Sequence, residues 1–269
     1  MNTWNGTLIR KKMHEILLVL YLLRGITNEQ LRRYFNPHLQ SNVRGQLANI
    51  SRNVSVLKEL KLISSVSCHP HSKEELNFLT RKGIEYIHKN CIIEHEGNDD
   101  VVGFLEGPLR SFEYEILKPP TRYIEHHHML IDTIVDYSHF GRFRNNLYCV
   151  KQYDLLDRSY GYKKKAKVKP DAELKTIKGL ILAVEIDTGT ERTEKLIQKF
   201  SNYRRYLDYC LQNDIKIPWV GILFQTQRGN EILNIKDDQR WQTILKAAVD
   251  GLSYYCWNIH VLGFKDLHL

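Results

Sequence analysis

Asp171, Glu185 and Lys199 are of the residue types that a divalent cation and a hydrolytic site require, and two of them sit at the ends of strand-like runs. The first run is Lys169-Pro170-Asp171-Ala172-Glu173-Leu174, and the second is Leu180-Ile181-Leu182-Ala183-Val184-Glu185-Ile186-Asp187. Between them Lys175, Thr176, Lys178 and Gly179 have the composition of a hairpin turn. A hairpin of this kind brings the carboxylates of Asp171 and Glu185 toward one cation, and hard divalent metals such as Mg²⁺ favour oxygen ligands of that sort. Downstream, Lys199 and Tyr203 are one helical turn apart and share a face.

Strand with Pro-Asp, strand with Glu-x-Asp, then helix with Lys-x-x-x-Tyr resembles the PD-(D/E)xK nuclease superfamily. The resemblance implies metal-assisted phosphodiester hydrolysis, with Mg²⁺ held by Asp171, Glu185 and the backbone carbonyl of Ile186. In the superfamily a lysine stands two residues after the Glu. Here that position is Asp187, which joins the expected metal-binding set, and Lys199 on the following helix is the candidate replacement for the lysine. The competing expectation is an inert site on a surviving fold, which fold alone cannot decide.

The chain has 269 residues, enough for two domains, and 39 basic against 31 acidic side chains give a net charge of +8. Such an excess attracts polyanions, with nucleic acid the first candidate partner. The five cysteines are scattered and odd in number, which excludes a disulfide framework or a C-x-x-C zinc site and fits a reducing cytoplasm. The apolar run Ile16 to Leu23 is too short to span a bilayer, which needs about 20 residues, so no membrane partner is expected.

Residues 13 to 24 read as a buried helix. Thr27 and Gln30 form a capping-box start for a second. A third helix runs from Asn42 to about Lys61, with Leu47, Ile50, Val54 and Leu57 on one face. Its other face carries Arg44, Gln46, Asn49, Arg52, Asn53 and Lys58, side chains suited to phosphates and base edges. Two short strands flanking His69-Pro70-His71 follow as a two-stranded wing, and Leu79-Thr80-Arg81-Lys82-Gly83 opens a further helix. This order resembles the winged helix-turn-helix family, which implies binding to double-stranded DNA through the third helix.

Acidic, turn-rich residues and Pro119-Pro120 place the domain boundary between 91 and 121: a winged domain over 1–90, a linker, and an α/β domain over 122–269. Helix Tyr123 to Tyr137 holds His126-His127-His128. Neighbours on a helix point about 100° apart and cannot all face one ion, and the His-hydrophobe-His pattern of HUH relaxases is not matched, because the central residue is histidine. Lys163, Lys164 and Lys165 head a lysine-rich run into the Pro-Asp motif and are candidate phosphate contacts. A strand at 147–155, the helix from Thr193, a strand at 219–224, a helix at 238–252 and a strand at 259–264 complete a mixed α/β sheet with flanking helices.

The winged region followed by Lys-Pro-Asp-Ala, Val-Glu-Ile-Asp-Thr-Gly-Thr-Glu and Lys199 to Tyr203 resembles the replication-relaxation family of plasmids and mobile elements. Pro170, Asp171, Glu185, Asp187, Thr188, Gly189, Lys199 and Tyr203 carry that likeness, with His127 as a supporting position. It implies a DNA-binding protein of replication or DNA relaxation and a Mg²⁺-dependent DNA nicking endonuclease. The alternative expectation is a transcriptional or copy-number regulator whose inert nuclease-like domain forms a homodimer.

Overall fold

The computed structural model describes residues 2–4, 6–37, 41–68, 73–91, 100–107, 111–119, 121–145, 158–161, 166–226 and 239–263. Internal contacts divide the chain into Met1–His139 with Leu147–Tyr153, and Phe140–Asn146 with Asp154–Leu269. Among the described residues no helix is long and apolar enough to cross a membrane.

The first unit begins with an antiparallel hairpin, β1 (Asn2–Trp4) and β2 (Thr7–Ile9), and then α1 (Lys11–Leu23). The apolar run is a core helix: Ile16, Leu17 and Val19 to Leu23 are buried all round it. β3 (Ile26–Thr27) leads into α2 (Asn28–Phe35) through the expected capping box. Thr27 Oγ1 accepts from the Gln30 N–H at 3.2 Å and the Gln30 side chain accepts from the Thr27 N–H at 3.1 Å. α3 (Val43–Glu59) buries Ile50, Val54 and Leu57 as the spacing predicts, while Leu47 is only half-buried.

β4 (Ile63–Ser67) and β5 (Glu75–Leu79) pair antiparallel, and β3 joins the far side of β5, so the hairpin lies in a three-stranded sheet rather than standing as two strands. α4 (Arg81–Asn90) starts at Thr80, whose hydroxyl accepts from the Gly83 N–H at 3.2 Å. The Leu-Thr-Arg-Lys-Gly stretch has a packing reason. Thr80 N–H donates to the Leu62 carbonyl at 3.0 Å, and a Cβ on Gly83 would fall 2.0 Å from that same oxygen. Only glycine lets α4 start so close to the turn that joins α3 to β4.

Within the span expected as a linker, the described residues hold secondary structure. β6 (Asp100–Val102) and β7 (Leu105–Gly107) form a hairpin, and α5 (Tyr114–Leu117) follows. Leu105, Phe112 and Leu117 are buried, and the Phe112 N–H donates to the Tyr21 hydroxyl at 2.9 Å. Residues 92–99, 108–110 and 120 of the expected linker lie outside the described residues. α6 (Ile124–Asp136), expected to open the second domain, belongs to the first unit. Arg33 on α2 forms ion pairs with Asp132 and Asp136 of α6, and the Gln30 side chain donates to the His128 carbonyl at 3.1 Å.

The second unit is a mixed α/β layer. β8 (Gly141–Asn145), β9 (Arg158–Tyr160), β10 (Ala166–Val168), β11 (Ala172–Thr176), β12 (Ile181–Asp187), α7 (Thr193–Gln212), β13 (Gly221–Thr226), α8 (Gln239–Leu252) and β14 (Ile259–Gly263) follow in sequence. β9 and β10 form a small hairpin. The main sheet has the order β14-β13-β12-β11-β8, antiparallel from β12 to β8 and parallel from β12 to β14. The strand expected at 147–155 lies outside the described residues.

α7 and α8 pack on one face of this sheet through Leu196, Phe200, Tyr203, Ile244, Ala247 and Leu252 against Ala183, Ile222 and Phe224. Gly251 allows their approach: a Cβ there would meet Phe200 Cβ at 2.5 Å and the Ile197 carbonyl at 2.8 Å. Gly251→Val therefore overpacks the α7–α8 seam, and a destabilisation of about 1–3 kcal/mol is expected from chemical denaturation. A variant as stable as the parent would show that the seam is not held at this spacing.

Candidate functional site

β11 and β12 meet with Ala172 opposite Val184 and Glu173 opposite Ala183, so their acidic ends lie side by side. Asp171 brackets Glu185 along the chain. Its N–H donates to the Val184 carbonyl at 3.0 Å, and its Oδ2 accepts from the Ile186 N–H at 2.9 Å. Alternation along β12 turns Ala183, Glu185 and Asp187 to one face, the face covered by α7 and α8.

On that face Lys199 and Tyr203 of α7 reach Glu185 together. The Tyr203 hydroxyl donates to Glu185 Oε1 at 2.5 Å, and Lys199 Nζ donates to Oε2 at 3.2 Å. Glu191, in the loop after β12, lies 3.4 Å from the same ammonium. Glu185 is 4% exposed and Tyr203 2%. Burial pushes the Glu185 carboxyl up to about 7, with Lys199 pulling it down, Asp171 pushing it further up and the Tyr203 hydrogen bond opposing it. Burial disfavours the Lys199 charge, yet Glu185, Asp171 and Glu191 outweigh it and raise the ammonium above its ordinary value. Burial and the Glu185 charge likewise hold Tyr203 protonated.

Asp187, expected among the metal ligands, is engaged by Arg240 and Thr226. It is fully buried and paired bidentately with Arg240 at the start of α8: Nη2 to Oδ1 at 2.6 Å and Nε to Oδ2 at 2.7 Å. The Thr226 hydroxyl donates to Oδ2 at 2.9 Å, and Arg240 Nη1 also pins the Glu191 carbonyl at 2.7 Å. Both oxygens are thus taken by fixed donors, as a planar guanidinium fork does well. Among the described residues no group of three or more His, Cys, Asp or Glu side chains is placed to hold a metal ion.

A cavity of about 280 Å³ opens beside Glu185, lined by Lys167, Lys169, Lys195, Gln198, Lys199 and Asn202 as well as Val168 and Tyr203. The lysines at 163, 164 and 165 lie outside the described residues, and Lys167 and Lys169 of the same basic run line the cavity together with Lys195 and Lys199 of α7. Glu173, one strand period from Asp171, is a further buried acid; its Oε1 accepts from Arg158 Nη2 and Trp219 Nε1, both at 2.8 Å. Strand alternation from Asp171 could have flagged Glu173. Nothing in the sequence pointed to Arg240.

In the first unit Arg44, Asn49 and Arg52 are exposed on α3. Asn53 is half-buried and its side chain donates to the Asn49 carbonyl at 2.8 Å, while Gln46 is held between Arg32 and the Ser41 carbonyl. Lys58 departs from the expected DNA-facing set: it clasps α3 to the β4–β5 hairpin through Ser65 at 2.9 Å and Glu75 at 2.8 Å. His127, the expected supporting residue, is a buried group of the first unit. Its Nε2 donates to the Gly25 carbonyl at 3.2 Å, and burial pushes its pKa down to about 3, so the ring is neutral.

The family model for replication-relaxation matches residues 17–218, well over half of the chain. The chain belongs to the replication-relaxation family. Membership links it to replication of plasmids or mobile elements. No curated protein and no solved structure matched it. Within this replication-relaxation protein the matched span contains Asp171, Glu185, Asp187, Lys199 and Tyr203 but ends before Arg240.

The Asp187–Arg240 pair predicts a stability effect. Arg240→Met leaves a buried carboxylate without its cation and is expected to cost roughly 3–5 kcal/mol in denaturant unfolding, with much of the loss recovered in Asp187→Leu/Arg240→Met. A loss under about 1 kcal/mol for the single variant would return Asp187 to the pool of available ligands.

Proposed function

We propose that the chain is a DNA-binding replication protein in which the first unit acts as a winged helix-turn-helix on double-stranded DNA, and the second as a PD-(D/E)xK-like centre that nicks DNA with Mg²⁺. The observation that carries this reading is the ammonium of Lys199 on the Glu185 carboxylate, reached from α7, with Arg240 neutralising the acid that stands in the usual lysine position.

The residues present fit Mg²⁺. That ion is commonly held by one or two carboxylates, with water and substrate phosphate completing the shell, rather than by an all-protein cage. Asp171 and Glu185, with the Ile186 carbonyl, would hold it. When bound, the ion would offset negative charge on the phosphate and acidify a coordinated water. Tyr203 fixes the rotamer of Glu185 through its short hydrogen bond, and Asp171 is fixed by the Ile186 N–H. Lys199, with its pKa raised, keeps its proton at Nζ. It therefore serves as a donor and positive charge toward phosphate, not as a base.

A second reading is a transcriptional or copy-number regulator with an inert, dimerising second unit. One observation favours it: Tyr203 and Lys199 already occupy both oxygens of Glu185. Supercoiled plasmid with Mg²⁺ or Mn²⁺ separates the two. Conversion to open circle by the parent, reduced at least a hundredfold in Asp171→Asn, Glu185→Gln and Lys199→Met, is the expected result; no conversion with either metal selects the regulator.

For the first unit, duplex affinity is expected to fall steeply with salt. Arg44→Ala/Arg52→Ala should lower the slope of log affinity against log salt by about 2, near 0.9 per phosphate contact. Lys58→Ala, whose charge is spent on Glu75, should change that slope little. Duplex binding indifferent to salt would remove α3 as the DNA-reading helix.

A further inference from the structure

We infer that Glu191 is the positioning residue for Lys199: it gives the ammonium a second carboxylate to rest on, so that Glu185 can be released to a divalent cation. This rests on the Mg²⁺ reading of the site and names how a carboxylate already held on both oxygens is opened.

The obstacle is one of charge. Lys199 Nζ stands 3.2 Å from Glu185 Oε2, and the Tyr203 hydroxyl takes Oε1. A divalent cation arriving at Glu185 meets the ammonium on the same carboxylate, two positive groups competing for one pair of oxygens. Lys199 cannot simply be turned loose, since its side chain is 25% exposed and a covered cation needs a partner. Nor does it escape by shedding its proton. Burial disfavours its charge, yet Glu185, Asp171 and Glu191 keep it protonated.

Glu191 supplies the partner. Its Oε2 lies 3.4 Å from Nζ, and this oxygen is shut off from solvent while accepting no hydrogen bond among the described residues. Buried acceptors left in that state are exceptions in folded proteins. This one is satisfied when the ammonium shifts toward it on a flexible four-carbon stem. Glu191 does not line the cavity beside Glu185, so it acts through Lys199 rather than as a further ligand.

The loop between β12 and α7 keeps Glu191 in reach. Arg240 donates to the Glu191 carbonyl at 2.7 Å while its other nitrogens hold Asp187, so one guanidinium ties the end of β12 to the residue before the helix cap. Between the two, Gly189 takes a left-handed φ of +79°, and the Thr188 and Thr190 hydroxyls share a hydrogen bond at 3.1 Å. α7 then starts on the Arg192 carbonyl, which accepts from the Lys195 and Leu196 N–H groups at 3.0 and 3.1 Å. The backbones of Glu191 and Lys199 thus share one scaffold, and side-chain torsions decide which carboxylate the ammonium takes.

The test follows Mn²⁺ binding to the full chain by the electron paramagnetic resonance of the free ion, with the metal-free thermal midpoint of each variant as the check on folding. Glu191→Gln is expected to weaken Mn²⁺ binding about tenfold, because Lys199 then has Glu185 as its resting place. Lys199→Met is expected to strengthen binding about tenfold by removing the competitor. In that background Glu191→Gln should change the affinity by less than about twofold. A pair that only braces the loop would leave Mn²⁺ affinity unchanged in Glu191→Gln and overturn the inference. Equal losses in both backgrounds, the mark of a direct ligand, would overturn it too. Binding abolished by Asp171→Asn yet indifferent to Glu191→Gln removes the role of Glu191 and leaves the Mg²⁺ site standing. No Mn²⁺ bound by the parent or by Lys199→Met removes both.

Discussion

A carboxylate enclosed between a strand and a helix organises the second unit. Glu185 is removed from water and held by a tyrosine hydroxyl and a lysine ammonium, both from α7. Burying an acid is unfavourable unless it is paired and hydrogen-bonded, so β12 and α7 are constrained to one mutual placement. The apolar stripe of α7 gives the adhesion, and Glu185 gives the register. The same constraint perturbs both groups, because a carboxyl poised near neutrality beside a persistent cation is unlike either group in solvent.

A second layer of pairing keeps that arrangement from collapsing inward. Asp187, Arg240, Thr226 and the Glu191 carbonyl form a closed set at the end of β12, and Glu173, Arg158 and Trp219 form another on β11. Each absorbs a buried acid next to Glu185.

The acidic hairpin was legible because its turn composition and the continuous apolar run before Glu185 agree, and both reappear in the β11–β12 register. α3 and the capping box of α2 were legible for a similar reason: their signals are local, within one or two helical turns. What sequence did not disclose is non-local. Arg240 meets Asp187 across a long stretch of chain, and no spacing rule joins them. Lys58 has the type of a DNA contact but is drawn to Glu75 by the fold of the hairpin. The span read as a linker was only partly legible: its acidic residues are turn-like, while Leu105, Phe112 and Leu117 among its apolar side chains are taken up by the core. Only tertiary packing reveals which property prevails.

The bond between Asp187 and Arg240 also bears on how such a site can drift over evolutionary time. A lysine placed at 187 would face the Arg240 guanidinium, two like charges meeting at a buried position. Neither position can cross to the other chemistry by a single step through a folded intermediate of undiminished stability. A change at either position is therefore tolerated in the fold only together with a change at the other, although the two stand on different elements.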